Sequence, residues 1–246
     1  MPERMRQFPL PLKFDQSATF DNFFLRGNEL TLAALRAQQV SDGWLYIHGH
    51  IASGVSHLLQ ACCNSATSKH VQNLYLDLAE MPGVTSADST GTAGAPVIAA
   101  DLFEGLENYD LLCLDNVDAL ANNKTWQEAL FYLLVKIQQR ANTLLVLGAH
   151  QPASALQSIL PDLRSRLESA TSFALCEPDD EAKAEIIMLR ANQLGCEMPD
   201  AVARFIVQRY SRRLPDLIAA TIELDRQSIS HTRKLTLPFV KQVLSI

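Results

Sequence analysis

No stretch of this 246-residue sequence approaches the ~18 to 20 uninterrupted apolar residues needed to span a bilayer, and the opening MPERMRQFPLPL has no apolar signal-peptide segment. A membrane protein is not expected, and the chain reads as cytoplasmic. Basic residues are not in excess either: 21 Lys and Arg stand against 27 Asp and Glu, a formal net charge of −6. A pI near 5.5 gives no general attraction to a phosphate backbone, which disfavours a strongly basic nucleic-acid binder, a local patch aside. The default partner is a protein or a small molecule. Cysteine is sparse and odd in number, five residues with no C-x-x-C spacing. Cys62, Cys63, Cys113, Cys176 and Cys196 lie in apolar surroundings and read as buried, reduced thiols. The six histidines form no helical H-x-x-x-H pair. His48 and His50, with His57 just beyond, are the one place to look for a histidine metal site, and structural roles are the simpler reading.

What is present is 48% hydrophobic residues, enough for one large domain or two small ones with a sizeable core and too much for a disordered chain. Five apolar runs stand out: Trp44 to His48, Asn73 to Leu78, Leu111 to Asp115, Thr143 to Gly148 and Ser172 to Leu175. Continuous rather than alternating apolar runs suit strands buried on both faces, so the pattern predicts a parallel sheet wrapped by helices, α/β in class. Helical patterns fall near Asn28 to Gln39, Val55 to Thr67, Thr125 to Arg140 and Leu160 to Leu167. After Glu177-Pro178 the character changes. Asp179-Asp180-Glu181 opens a helix with an acidic first turn, and further helices are expected at Asp200 to Tyr210, Pro215 to Ser230 and Leu237 to Leu244. Residues 15–176 thus form an α/β core and 177–246 a small all-helical domain. No internal repeat is evident, and Gly83 to Ala95, rich in Gly, Ser and Thr, reads as a mobile loop of open role.

Between the first strand and the next helix lies Gly49-His-Ile-Ala-Ser-Gly54-Val55-Ser56, the phosphate-loop spacing G-x-x-x-x-G-K-[ST] with valine in the lysine's place. The glycines let backbone amides face phosphate oxygens; Val55 cannot neutralise them. Gly49, Gly54, Val55, Ser56 and His57 are the loop's candidate nucleotide-site residues. Asp115 joins them, at the end of an apolar strand where such folds hold a Mg²⁺-coordinating carboxylate, a strand-end cap or salt bridge being the alternative. Asn116 follows, where a hydrolysing enzyme carries an acid to orient water. Asp118 reads as a solvated turn residue.

The segments SHLLQACC (Ser56 to Cys63), DLLCLDNVDAL (Asp110 to Leu120), LPDLRSRL (Leu160 to Leu167) and RKLTLPFVKQVL (Arg233 to Leu244) together resemble the Hda family of DnaA-related AAA+ proteins, over nearly the whole length. The resemblance implies an AAA+ core of P-loop type with a helical lid, and a role in preventing re-initiation of chromosome replication. In that family the inactivator, loaded on the DNA polymerase III sliding clamp with DNA, stimulates DnaA to hydrolyse its bound ATP; DNA is then met only through the clamp. Residues 1–14 carry Gln7-Phe8-Pro9-Leu10-Pro11-Leu12, which resembles the family's clamp-binding peptide: Gln7, Phe8, Leu10 and Leu12 would bind, and the prolines limit the entropy lost. Pro9 departs from the small or acidic residue usual there. Arg166, in Ser165-Arg166-Leu167, matches the arginine finger, and Arg164 is read as a surface charge.

The resemblance also exposes what the nucleotide site lacks. Ala149 stands at the sensor position after the fourth strand, and Pro215 where the lid arginine falls, with Arg212 or Arg213 able to replace it only by slippage. A degenerate site follows, holding ADP or another nucleotide or none; Ser56 and Asp115 would hold Mg²⁺ only with a nucleotide. Intrinsic ATPase activity is not expected. The competing readings are a self-sufficient AAA+ ATPase (a loader or remodeller), a DNA-binding replication factor, opposed by the acidic balance and a chain ending at Ile246, and a diverged DnaA-family paralogue acting as a clamp-binding protein. A homo-oligomer stays open.

Overall fold

The computed structural model describes residues 14–37, 43–81, 84, 99–231 and 235–246. The chain divides into two compact units. The first runs up to Phe23 and takes in Leu30–His50 and Gly54–Leu175; the second takes in Phe24–Glu29, Ile51–Ser53 and Cys176–Ile246.

The first unit is a five-stranded parallel sheet, β1 Leu45–His48, β2 Asn73–Asp77, β3 Leu111–Asp115, β4 Leu144–Ala149 and β5 Thr171–Ala174. Its spatial order is β2-β3-β4-β1-β5. Helices α1 Glu29–Ala37, α2 Val55–Ser68, α3 Ala99–Phe103, α4 Lys124–Arg140 and α5 Pro161–Glu168 alternate with the strands. Successive side chains of a strand point to opposite faces, and the two faces are packed separately. Leu111 and Cys113 of β3 join Ile47, Val146 and the α2 residues Leu58, Leu59, Cys62 and Cys63. Leu112 and Leu114 join Leu145, Leu147 and the α4 residues Leu130, Leu133 and Leu134. All five residues of β3 are buried, which is why the run LLCLD shows no alternation.

Local chemistry sets the helix ends. Gly54 enters α2 in the left-handed region, at φ 101°. The Asn123 side chain accepts from the Trp126 amide at the start of α4, and Pro161 opens α5 where its missing N–H is not needed. Short 3-10 turns at Leu78–Glu80, Leu106–Asn108, Val117–Asn122 and Ala153–Ala155, like α3, were not foreseen: three to six residues are too few to show a period.

The second unit contains α6 Asp180–Leu194, α7 Asp200–Arg209, α8 Leu214–His231 and α9 Leu237–Leu244. Its core gathers Ile187 and Ala191 with Val202, Ile206, Leu217, Leu224, Phe239 and Val240. Among the described residues no helix is long and apolar enough to cross a membrane. One expectation is corrected. Cys62, Cys63 and Cys113 are buried, whereas Cys176 is exposed and Cys196 half-buried. Cys176 lies just beyond the last strand, where its sulfur is 3.4 Å from the Gly27 carbonyl oxygen. Gly83 to Ala95 lies outside the described residues except for Val84, and so do Gln7, Phe8, Leu10 and Leu12 of the clamp peptide.

Candidate functional site

The loop after β1 is anchored at its start by the Gly49 amide, which donates to the Ala149 carbonyl at 3.2 Å. At its end Gly54 is backed by Phe23: a Cβ there would lie 2.6 Å from Phe23 Cε2, and φ is positive, so only glycine fits. The Phe23 ring also lies 5.7 Å from that of His57, whose Nε2 is 3.0 Å from the Thr19 carbonyl oxygen. Val55, in the lysine's place, is 9% exposed and packs into the cluster of Ile47, Leu58 and Leu59. Ser53 is buried as well, and among the described residues its Oγ has no hydrogen-bond partner.

Asp115 is 1% exposed at the C-terminal end of β3. The Tyr75 hydroxyl donates to its Oδ2 at 2.8 Å and the Asn116 amide to its Oδ1 at 2.9 Å. Burial raises the Asp115 carboxyl above its ordinary value. Hydrogen bonds from Ser56, Tyr75 and the Asn116 N–H offset part of that rise, and the nearby Asp77 charge adds to it. Ser56 and Asp115, the two residues named for Mg²⁺, are therefore near enough for the serine to act on the carboxyl. The loop enters α2 through the left-handed turn at Gly54, with a serine and a buried carboxylate beside it, and these groups suit a phosphate and its metal; the lysine position supplies no cation.

Asn116 sits in the left-handed region at φ 55°, and its Nδ2 donates to Asp77 Oδ1 at 2.7 Å. Asp77 was not singled out in the sequence, although it ends an apolar strand just as Asp115 does and pairs with it in register. Asp118 is not a solvated turn residue. It accepts from the His150 amide at 3.2 Å, and its Oδ2 lies 2.9 Å from His150 Nδ1, with only 16% of its side chain exposed. The two residues are 32 apart and meet because β3 and β4 are neighbours, which no spacing rule reveals.

Arg166, half-buried near the end of α5, is held by two α4 residues. Its guanidinium donates to Gln138 Oε1 and lies 4.9 Å from the Phe131 ring centroid. Among the described residues it forms no ion pair with a carboxylate, whereas Arg164 pairs with Glu168 at 3.7 Å. In the helical unit Pro215 is the second residue of α8. Arg212 reaches Asp180 at 3.6 Å and Arg213 reaches Asp216 at 3.8 Å, so both are engaged with carboxylates of their own unit.

A parallel sheet ordered β2-β3-β4-β1-β5, with a phosphate loop after β1, a buried Asp ending β3 and a helical lid region, defines a P-loop protein of the AAA+ class. Within that class the chain belongs to the DnaA family: residues 14–174 match the bacterial DnaA ATPase domain and residues 180–244 the lid domain of Hda. Domain III of the Thermotoga maritima replication initiation protein DnaA is similar in fold, with a TM-score of 0.75 at 19% identity over 97% of this chain and 98% of that one. AMPPCP-bound DnaA from Aquifex aeolicus gives 0.68 at 20% identity, over 88% and 67%. The Thermotoga maritima RuvB Holliday junction branch migration motor gives 0.65 at 17% identity, over 94% and 72%. The chain is thus a DnaA-related AAA+ protein with an Hda-type lid.

Proposed function

We propose that this chain is a negative regulator of chromosome replication initiation, which binds the DNA polymerase III sliding clamp and supplies Arg166 in trans to the ATP site of DnaA. The observation that carries this reading is the state of Arg166, a guanidinium stacked on Phe131 and bonded to the neutral Gln138 amide, with no carboxylate partner among the described residues. Such contacts are weaker than an ion pair and are readily exchanged for phosphoryl oxygens. An arginine brought into a neighbour's site stabilises the charge developing on the transferred phosphoryl, worth ~10³ to 10⁵ in rate.

The chain's own site serves a lesser purpose in this reading. Loss of two charge-assisted contacts, at Val55 and Pro215, each roughly 1.5 to 3 kcal/mol, weakens triphosphate binding by on the order of 10² to 10⁴. ADP or another nucleotide would be held by loop amides, with Mg²⁺ at Ser56 and Asp115, and is not turned over. Residues 1–14 act as the clamp peptide through Gln7, Phe8, Leu10 and Leu12, residues 15–176 as the core and 177–246 as the lid.

Hydrolysis of DnaA-bound ATP in the presence of clamp-loaded DNA tests the reading. Arg166→Ala is expected to reduce stimulation by about 10³, and Gln7→Ala to reduce it only when the clamp is required. Stimulation that survives both substitutions excludes the mechanism.

A further inference from the structure

At the carboxyl ends of β3 and β4, beside the phosphate loop, stands a carboxylate-imidazole pair to which neither the loop motif nor the arginine finger gives a role. Ligands of open parallel α/β sheets bind in the crevice at that edge. His150 follows directly on Ala149, whose carbonyl receives the Gly49 amide at 3.2 Å, so it adjoins the first residue of the loop. One step back, Gly148 brings the strand so close to the site that a Cβ there would lie 2.5 Å from Asp115 Oδ1 and 2.9 Å from Val55 Cγ1. β4 thus runs against both the carboxylate named for Mg²⁺ and the position vacated by the lysine, and His150 follows two residues after that point of contact.

The pair is held rigidly. Asp118 grips His150 twice, by its backbone amide at 3.2 Å and by Nδ1 at 2.9 Å. The turn that follows is fixed by the Tyr46 hydroxyl, which donates to the Gln151 carbonyl at 3.0 Å. Burial, and then the Asp118 charge, raise the Tyr46 phenol, which keeps it a donor. The two partners differ in exposure: 16% of the Asp118 side chain is exposed and 43% of the His150 side chain. With Nδ1 committed to Asp118, the Nε2 side of the ring is the one left to meet a ligand.

We infer that His150, positioned by Asp118, is a phosphate-binding residue of this chain's own nucleotide site, its Nε2–H donating to an oxygen beyond the α-phosphate and supplying a donor that Val55 does not. The inference rests on the reading that the loop binds a nucleotide. It makes His150 the functional substitute for both the missing lysine and the missing sensor residue at Ala149.

The test is equilibrium binding of ADP and AMPPCP, with AMP measured in competition, to the wild-type chain and to His150→Ala, His150→Arg and Asp118→Asn. Removal of His150 is expected to lower ADP or AMPPCP affinity about ten- to hundredfold, the worth of one charge-assisted hydrogen bond, while AMP affinity changes less than twofold. Arginine at 150 restores the preference for the longer phosphates, and Asp118→Asn, which loosens the ring, gives an intermediate loss confined to the same ligands. An equal loss for all three nucleotides assigns His150 a merely structural role and overturns the inference, as does no loss at all. If the wild type binds neither ADP nor AMPPCP, the inference fails together with the nucleotide reading; if it binds but is indifferent to His150→Ala, the inference fails alone.

Discussion

Gly148 shows how tightly single positions are set around the candidate site. A methyl group there would lie 2.5 Å from Asp115 Oδ1 and 2.9 Å from both Leu59 Cδ2 and Val55 Cγ1. Overpacking of this kind costs about 1 to 3 kcal/mol, so Gly148→Ala should lower the urea midpoint without changing the slope. Asp115 itself carries a pH signature. Its carboxyl is raised in the folded state, chiefly by burial, so its contribution to stability is fully present below the ordinary carboxylate value of 3.8 and is lost as pH rises towards the raised value. Urea unfolding from pH 4 upward should therefore show a falling term that Asp115→Asn removes; identical pH profiles for the two proteins would exclude it. Asp115, Val55 and Gly54 were legible in the sequence because their meaning lies in adjacent positions of one loop or strand. Asp77 and the Asp118 to His150 pair were not, because their partners arrive from other strands, and Asp118 looked like any polar turn residue until β4 was laid beside β3.

Whole elements were legible to within a residue or two where an apolar run was long and unbroken. β3 spans Leu111–Asp115 and α9 Leu237–Leu244, both as the sequence indicates, because a strand buried on both faces and an amphipathic helix leave strong patterns. α3, five residues long, left none. At the start of α6 the acidic run divides its labour. The Asp179 side chain accepts from the Ala182 amide at 2.7 Å as the cap, while Asp180 and Glu181 lie in the first turn against the helix dipole. Asp179→Ala should therefore cost about 0.5 to 2 kcal/mol, and Asp179→Asn much less, when the melting of the full chain is followed by circular dichroism. Equal losses for the two would mean that charge, rather than the cap hydrogen bond, holds this end. At the other end Gly195, at φ 89°, closes α6 in the left-handed region, so Gly195→Ala is expected to cost a further ~1 kcal/mol.

Across the whole molecule, the four positions that the proposed function reads as departures from a hydrolysing nucleotide site lie far apart in the chain: Val55 at the head of α2, Asn116 after β3, Ala149 at the end of β4 and Pro215 in α8. Binding and chemistry should therefore be separable. Val55 is buried among Ile47, Leu58 and Leu59, and a lysine there keeps its apolar stem in that cluster while the ammonium snorkels towards the loop. Val55→Lys is thus expected to raise AMPPCP affinity by ~10-fold or more, one charge-assisted contact regained, at a stability cost of about 1 to 3 kcal/mol for the added bulk. Turnover should not follow, because Asn116 is an amide committed to Asp77 at 2.7 Å and cannot take a proton from water. Calorimetric titration and single-turnover hydrolysis of ATP on the same variant decide the matter. Tighter binding without turnover places the erosion at separate positions for grip and for chemistry, whereas hydrolysis restored by this one substitution would mean that the rest of the site is intact and the chain is an ATPase lacking only its lysine.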